Sequence, residues 1–576
     1  MEGLPAPQGL AAIAGRGQVT LRWPPVPGAV GYQVLRDGEP LDHFGGDVLA
    51  VPHPPYADTT GEPGRSYEYA VAAFADAAVI GAVSEPVTAA SHAGGVTPRV
   101  TIDVSAGPEA APERPWTPVI GSEHLSHLLS AETTGGRPIG TEFAEALALV
   151  HSDLGVRSVR AHGILGDDLG VYREIDGRPA YDFSIVDEVY DRLLELGLRP
   201  LVELSFMPRD LASDPNATVF AYAAVVSPPK DWQRWADLIE AFVRHLADRY
   251  GEDEVSRWPF EVWNEANLTV FWSGTRDEWL RLYDETAYAV KKALPAAKVG
   301  GPSSAAAGLV GELLAHVAKS GAPLDFISTH TYGSPPLDFR PLCAAYGRAD
   351  LPILWTEWGV TPTHFAAVND SVFAATFLLR GMRSAAGRVS GLSYWVASDH
   401  FEELGRPPGL LHGGFGLLTV GNLRKPRYWA LHLLNRLGGL MLPVQFRGDG
   451  AESLVEAWAS VHHDGRIDVL VWNGTLDQSK VGGAAALERR IVLRFPEAAA
   501  QTYRVRHWRV DEQHSNLAAR WEAMEGGDWP TASQWNELQA RDVLDELSPP
   551  AKLSVPLDLE FGLPMPGISY VELTPV

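Results

Sequence analysis

Phe260-Glu261-Val262-Trp263-Asn264-Glu265-Ala266-Asn267 is an apolar strand that finishes on Asn264 and Glu265, two polar residues that a buried strand would not carry without a use. A second stretch of the same design follows at Ile353-Leu354-Trp355-Thr356-Glu357-Trp358-Gly359, again hydrophobic and again stopped on a carboxylate walled by tryptophans. Two strands that both end on a carboxylate ask for a fold in which strand ends converge on one place.

The surrounding chain supplies such a fold. From 116 to 437, strand-like runs at 117–121, 158–162, 199–206, 260–263, 298–301, 326–332, 352–357 and 392–396 alternate with amphipathic stretches at 143–154, 185–196, 232–250, 275–293 and 307–319. Ile185, Val189, Leu193 and Leu196 keep the spacing of a helix stripe. Eight β-then-α units over roughly 320 residues predict a (β/α)8 TIM barrel, in which functional residues sit just past the strand C-termini. A doubly wound open sheet is the alternative, but no Gly-x-Gly-x-x-Gly follows the first strand. Polar residues do gather at the expected places. They are Arg160-Ala161-His162-Gly163, Glu203-Leu204-Ser205-Phe206, Asn264-Glu265, Thr329-His330-Thr331-Tyr332, Thr356-Glu357 and Tyr394-Trp395. One such residue alone would read as structural; a set at equivalent strand ends reads as a site.

The flanks are β-rich. Residues 1–95 alternate with period two between Pro/Gly turns, as in Gln18-Val19-Thr20-Leu21-Arg22-Trp23, Gly31-Tyr32-Gln33-Val34-Leu35-Arg36 and Tyr67-Glu68-Tyr69-Ala70-Val71. This segment resembles a fibronectin type III domain, with Trp23 and Tyr67 matching that family's core Trp and tyrosine corner; a structural role is expected. Residues 96–115 read as a linker plus a strand, Arg99-Val100-Thr101-Ile102-Asp103-Val104, that either starts the next domain or pairs with a sheet much later. Residues 438–576 read as a C-terminal accessory β-sandwich, whose polar, partly helical 511–546 segment is expected on the barrel's flank.

The totals set outer bounds. A chain of 576 residues exceeds one core, and 45% hydrophobic with 21% charged residues is ordinary for a globular protein. With 47 basic against 72 acidic residues the net charge is −25, which repels phosphate backbones, so no nucleic-acid partner is expected. Cys343 is the single cysteine, which excludes an internal disulfide framework. No leader-like stretch opens Met1-Glu2-Gly3-Leu4-Pro5 and no run approaches a membrane helix, so a cytoplasmic protein without membrane partners is expected. A homo-oligomer is left open. His124 and His127, at i and i+3, could mimic a metal pair, but no third ligand stands nearby in sequence, so no metal and no cofactor is expected. Gly300-Gly301-Pro302-Ser303-Ser304 lacks the lysine of a phosphate loop.

A pair of strand-end glutamates is the minimum equipment for cleaving a glycosidic bond. The motifs above, with Asp167-Asp168, Phe401-Glu402-Glu403, Gly413-Gly414-Phe415-Gly416-Leu417, Asp511-Glu512-Gln513-His514-Ser515-Asn516 and Leu563-Pro564-Met565-Pro566-Gly567, resemble glycoside hydrolase family 39, over about 99–576. That family holds β-xylosidases and α-L-iduronidase. The resemblance implies a retaining reaction with Glu265 as general acid/base and Glu357 as nucleophile, their carboxyls about 5–5.5 Å apart. It further implies that Asn264 donates to the sugar 2-OH, that His162 and His330 donate to ring hydroxyls, and that Tyr332 orients the nucleophile. Trp395 would face the sugar's C–H surface, with Phe206 as a pocket wall. Glu402 and Glu403 would accept from hydroxyls, although a solvated loop pair is the plain alternative. Two positions depart from the family pattern: Ala266 stands where proline is usual, and Arg160-Ala161-His162 lacks the bulky aromatic before the histidine. The expected activity is an exo-acting retaining glycosidase on a carbohydrate substrate, foremost β-D-xylosides. The alternatives are α-L-iduronidase-like or α-L-arabinosidase activity and, from another class, a non-catalytic carbohydrate-binding protein.

Overall fold

The computed structural model describes residues 3–42, 50–496, 502–555 and 557–576; Met1 and Glu2, the start of the stretch read for a leader, lie outside these. Its centre is a ring of eight parallel strands that hydrogen-bond in chain order. They are β1 (Ile120–Ser122), β2 (Ser158–Ala161), β3 (Arg199–Leu204), β4 (Pro259–Val262), β5 (Lys298–Ser304), β6 (Phe326–Tyr332), β7 (Ile353–Gly359) and β8 (Gly391–Tyr394). Just past β8 the Ala397 N–H donates to the Gly121 carbonyl of β1 at 3.0 Å, drawing the two ends of the sheet together. This order is a (β/α)8 barrel and not a doubly wound sheet, whose strand order would reverse from the middle outward.

The helices following each strand are α1 (Ile139–Leu154), α2 (Ser184–Glu195), α3 (Trp232–Tyr250), α4 (Arg276–Ala293), α5 (Val310–Ser320), α6 (Arg340–Ala345), α7 (Val372–Ala385) and α8 (Pro426–Arg436). Their starts are written in the sequence. Asp231 caps α3 by accepting from the Gln233 and Arg234 N–H groups, and Thr275 with Glu278 forms a reciprocal capping box on α4. The α2 stripe turns out rotated from the expected one: Val186, Val189, Tyr190 and Leu193 are buried while Ile185 is exposed. A stripe wider than one residue per turn leaves its edge positions undecided until the partner surface is known. β5 runs on to Ser304 instead of stopping at Gly301, with a register shift against β6 between Pro302 and Ser304. That shift carries Ser303, at φ 50°, into the barrel mouth.

Residues before the barrel form two small antiparallel sheets, one of Ala11–Gly15, Gln18–Arg22 and Tyr56–Asp58, the other centred on Gly31–Arg36 and Tyr67–Asp76. Trp23 packs edge-on to Tyr32 at 5.3 Å between them, and the Tyr67 hydroxyl accepts from the Glu62 N–H at 3.0 Å. This unit is buttressed on two sides. Asp338 N–H donates to the Val30 carbonyl (2.9 Å) on the barrel side, and Gln18 Nε2 donates to Asp449 (2.6 Å) on the C-terminal side.

Arg99–Val104 belongs to the C-terminal sandwich, where it lies antiparallel to Val444–Gly448 and parallel to Arg489–Phe495. Its buried Val100, Ile102 and Val104 join one core with Val469, Leu493 and Leu573. A strand with alternating burial and no local partner must find one far away in sequence. In the 511–546 region, helices Leu517–Ala523 and Ala532–Ala540 pack Trp521, Trp535 and Leu538 against Leu410 and Leu423 of the long connection after β8.

Candidate active site

A cavity of about 310 Å3 opens where the C-terminal ends of the strands converge. His162, Asn264, Glu265, Tyr332, Glu357, Trp395 and Glu403 line it together. β4 aims its glutamate by a kink. Trp263 and Glu265 both take left-handed backbone angles (φ 67° and 46°), and the Glu265 N–H is held by the Ser303 carbonyl at 2.7 Å. Such angles cost roughly 1–3 kcal/mol each for a residue with a side chain, so the surrounding packing must impose them.

Arg160 is the hub beneath the cavity floor. Fully buried, it meets Glu261 Oε2 through Nε (2.6 Å) and Glu357 Oε1 through Nη1 (2.6 Å). Its Nη2 reaches Glu203 (2.7 Å), Asn264 Oδ1 (2.8 Å) and Ser303 Oγ (3.0 Å). Because the Asn264 oxygen is taken by a guanidinium, its NH2 is the end left for the cavity. Glu357 receives a second donor, the Tyr332 hydroxyl, at 2.8 Å.

Glu265 meets the opposite kind of partner. Its Oε1 lies 2.8 Å from His330 Nδ1, and His330 Nε2 lies 3.1 Å from Thr356 Oγ1. The Thr356 hydroxyl donates to Glu261 Oε1 (2.7 Å), so it can only accept from the imidazole. His330 is held neutral, since burial first, then Arg160 and His162, push its pKa well below the usual value. Its one proton therefore sits on Nε2, Nδ1 faces Glu265 as a bare lone pair, and the proton between them belongs to the glutamate. The electrostatics agree. Burial, then the Glu357 charge, raise the Glu265 pKa well above the carboxylate range. Burial raises Glu357 too, but Arg160, His162 and the Tyr332 hydroxyl oppose it, so Glu265 is the member of the pair that keeps a proton.

On the far wall, burial would deprotonate His162, but Glu203 at 2.8 Å outweighs it and raises the pKa well above the usual value. The resulting imidazolium points Nε2 toward Glu403 Oε1 (3.4 Å) and Glu357 Oε1 (3.7 Å). Burial likewise opposes the charge on Glu403, yet His162 and His364, the latter at 2.9 Å, hold its pKa below the usual range. The loop that carries Glu403 is pinned by buried Lys425, which bridges Asp370 and Asp399 at 2.6 Å each.

Three residues assigned to the sugar site by sequence stand elsewhere. His330 is fully buried behind Glu265 and offers nothing to a ring hydroxyl. Phe206 lies behind His162 (5.8 Å) and against Trp263, as support and not as cavity wall. Glu402 turns away from its neighbour Glu403, toward His127 at 3.6 Å and Arg406 at 2.9 Å. Sequence reasoning in turn missed Phe220, His364 and the enclosing Leu268, Phe271 and Pro362, all contributed by loops. Phe220 stacks on His162 at 5.6 Å. Loop residues carry no periodicity that would have marked them.

One carboxylate oxygen of Glu265 and one of Glu357 lie within 4.8 Å of each other. A buried acid and a carboxylate held by donors, so close and lining one pocket, can together protonate a leaving oxygen and attack the carbon that bears it.

Comparisons with known proteins point the same way. The model of Glycosyl hydrolases family 39 matches residues 101–345 and 340–552. A β-xylosidase of Geobacillus stearothermophilus is 34% identical over 421 residues, 68% of this chain and 80% of that protein. The α-L-iduronidase of Mus musculus is 25% identical over 480 residues, 74% of this chain and 73% of the relative. Among solved structures, a monomeric β-xylosidase from Caulobacter crescentus CB15 superposes with a TM-score of 0.72 at 30% identity, covering 83% of this chain and 99% of the other. No helix among the described residues is long and apolar enough to cross a membrane.

Proposed function

The chain belongs to glycosyl hydrolase family 39 and is a glycoside hydrolase, and from that premise we propose that it removes terminal β-D-xylosyl residues with retention of configuration. The observation that carries the reading is the asymmetry of the carboxylate pair: Glu357 accepts from Arg160 and Tyr332, whereas Glu265 faces Nδ1 of a histidine whose other nitrogen meets the Thr356 hydroxyl.

Glu265 gives its proton to the glycosidic oxygen as Glu357 attacks the anomeric carbon from the other side. The C–O bond to the aglycone breaks, and the sugar becomes esterified to Glu357. A water then gives its proton to the Glu265 carboxylate and attacks the same carbon, releasing Glu357. An oxygen approach within 4.8 Å suits this double displacement, because an inverting pair needs a gap of about 6.5 Å or more to admit a water. The Asn264 NH2 faces the 2-OH and strengthens its bond as charge develops, Trp395 takes the sugar's apolar face, and Glu403 with His162 receives the outer hydroxyls.

A specific feature supports a neutral pentose over an iduronate. Among the described residues no Lys or Arg lines the cavity, Arg160 being fully engaged beneath it, while the Glu403 carboxylate occupies the wall and repels a second anion. An α-L-arabinopyranoside, differing from xylose at one hydroxyl, is the second substrate expected to enter. Hydrolysis of p-nitrophenyl β-D-xyloside, α-L-arabinopyranoside and α-L-iduronide, compared at matched concentrations, tests the order. Preference for the iduronide overturns the substrate reading, and no turnover on a broad glycoside panel favours a carbohydrate-binding protein.

A further inference from the structure

His124 and His127, which have no third ligand nearby in sequence, acquire one in space. We propose that His124, His127 and Glu402 bind a divalent transition-metal ion of the zinc class at the seam where the segment after β1 meets the loop after β8. One ligand atom from each lies within 4.8 Å of the others. His127 Nε2 and Glu402 Oε2 stand 3.6 Å apart. That is too long for the charge-assisted hydrogen bond of a bare ion pair, about 2.7–2.9 Å. Two ligands about 2.1 Å from a tetrahedral ion stand roughly 3.4 Å apart, close to the separation seen.

An unpartnered ring atom points the same way. His124 Nε2 is buried and has no hydrogen-bond partner among the described residues, whereas on His127 it is Nε2 that faces Glu402 and Nδ1 that lacks a partner. For His124 the tautomer follows from its other nitrogen. Ser126 Oγ donates to Asp168 Oδ2 at 2.8 Å, so at 2.9 Å it must accept the proton of His124 Nδ1. Nε2 is then the nitrogen left for an ion, with a Glu123 carboxylate oxygen 4.0 Å from it. A ligating imidazole characteristically donates its second N–H to such an outer partner, which fixes its tautomer and raises its basicity. Glu402 is prepared in the same way, for Arg406 holds its Oε1 at 2.9 Å and leaves Oε2 for the histidines. Two imidazoles and one carboxylate suit zinc and its neighbours over calcium or magnesium, which prefer all-oxygen sets.

The site has a consequence for the pocket. Glu402 and Glu403 are consecutive and face opposite ways, one toward the histidines, the other toward the cavity. An ion on Glu402 fixes the backbone from which Glu403 reaches the sugar. The metal site stands independently of which glycoside is cleaved; only this coupling rests on the substrate reading.

The full chain, stripped with a chelator and then equilibrated with ZnCl2 alone, should retain one Zn2+ per chain by elemental analysis and melt at a higher temperature than the stripped form. Co2+ in its place should give visible ligand-field absorption of a tetrahedral site. Glu402→Gln should weaken uptake by at least about tenfold, and His124→Ala should abolish it. If the stripped chain takes up no ion, or both variants bind as the parent does, the site is refuted. Should His124→Ala fail to fold, Glu402→Gln alone decides, its side chain being partly exposed. With the ion present, KM should fall relative to the stripped enzyme; an unchanged KM beside demonstrated binding would remove the tie to Glu403.

Discussion

The ends of β4 and β7 carry the same residue type in the same barrel and differ in what surrounds it. Glu357 is met by donors, Arg160 at 2.6 Å and the Tyr332 hydroxyl at 2.8 Å, and both favour its ionised form. Glu265 is met by a bare imidazole nitrogen at 2.8 Å, which favours its protonated form, and burial beside Glu357 works in the same direction. Burial alone would raise both. The hydrogen-bond polarity of the neighbours separates a protonated carboxyl from an ionised one, as the proposed acid and nucleophile require, and the separation is set beyond His330, where Thr356 gives its proton to Glu261 and so accepts from His330 Nε2.

The strongest way to break this comparison is to remove the donor-held carboxylate. Glu357→Ala should lower kcat/KM on aryl β-D-xylosides by on the order of 10^5-fold. Azide should restore turnover as a glycosyl azide of opposite anomeric configuration to the substrate, read by NMR. A product of the same configuration would exchange the two roles. Glu265→Gln should cost about 10^2–10^4-fold on an alkyl xyloside and much less on a nitrophenyl xyloside, whose leaving oxygen needs no proton. Equal losses on both would deny Glu265 the acid role.

Tyr332→Phe removes one donor from Glu357 and should cost about tenfold to a hundredfold in kcat/KM. Because that hydroxyl favours the ionised form, its loss raises the Glu357 pKa. The acid limb of the pH profile, which falls as Glu357 takes up a proton, should therefore move to higher pH. Thr356→Val is the finest test. It removes the nearer of two hydroxyl oxygens at His330 Nε2, Thr356 Oγ1 at 3.1 Å against Ser303 Oγ at 3.4 Å, and so favours the tautomer whose Nδ1–H turns to Glu265 and stabilises its anion. The basic limb, where activity is lost as Glu265 gives up its proton, should then move down by about half a unit to one unit. A static basic limb would show that the tautomer does not govern the acid.

Much of this was legible in advance. The barrel was written in the repetition of strand and helix, and Glu265 and Glu357 in the cost of placing a carboxylate at the tip of an apolar run. What could not be read was direction. Neighbours Glu402 and Glu403 look interchangeable in sequence, yet only Glu403 faces the cavity. His162 and His330 both stand at the ends of barrel strands, yet Glu203 favours the cation of the first while burial, then Arg160, keep the second neutral. His364 and Phe220 come from loops whose path no periodicity reveals, and Glu402 reaches His127 across 275 positions of chain.

By itself, then, the sequence determined the alternation of elements, the burial of their faces and the residue types at the strand ends, because hydrophobic period and strand termination are local properties. Only the tertiary structure decided which of those residues share hydrogen bonds, and so which carboxylate keeps a proton and which is held ionised. A pKa is set by the charges and dipoles within a few ångströms, and in a closed barrel those come from strands far apart in the chain.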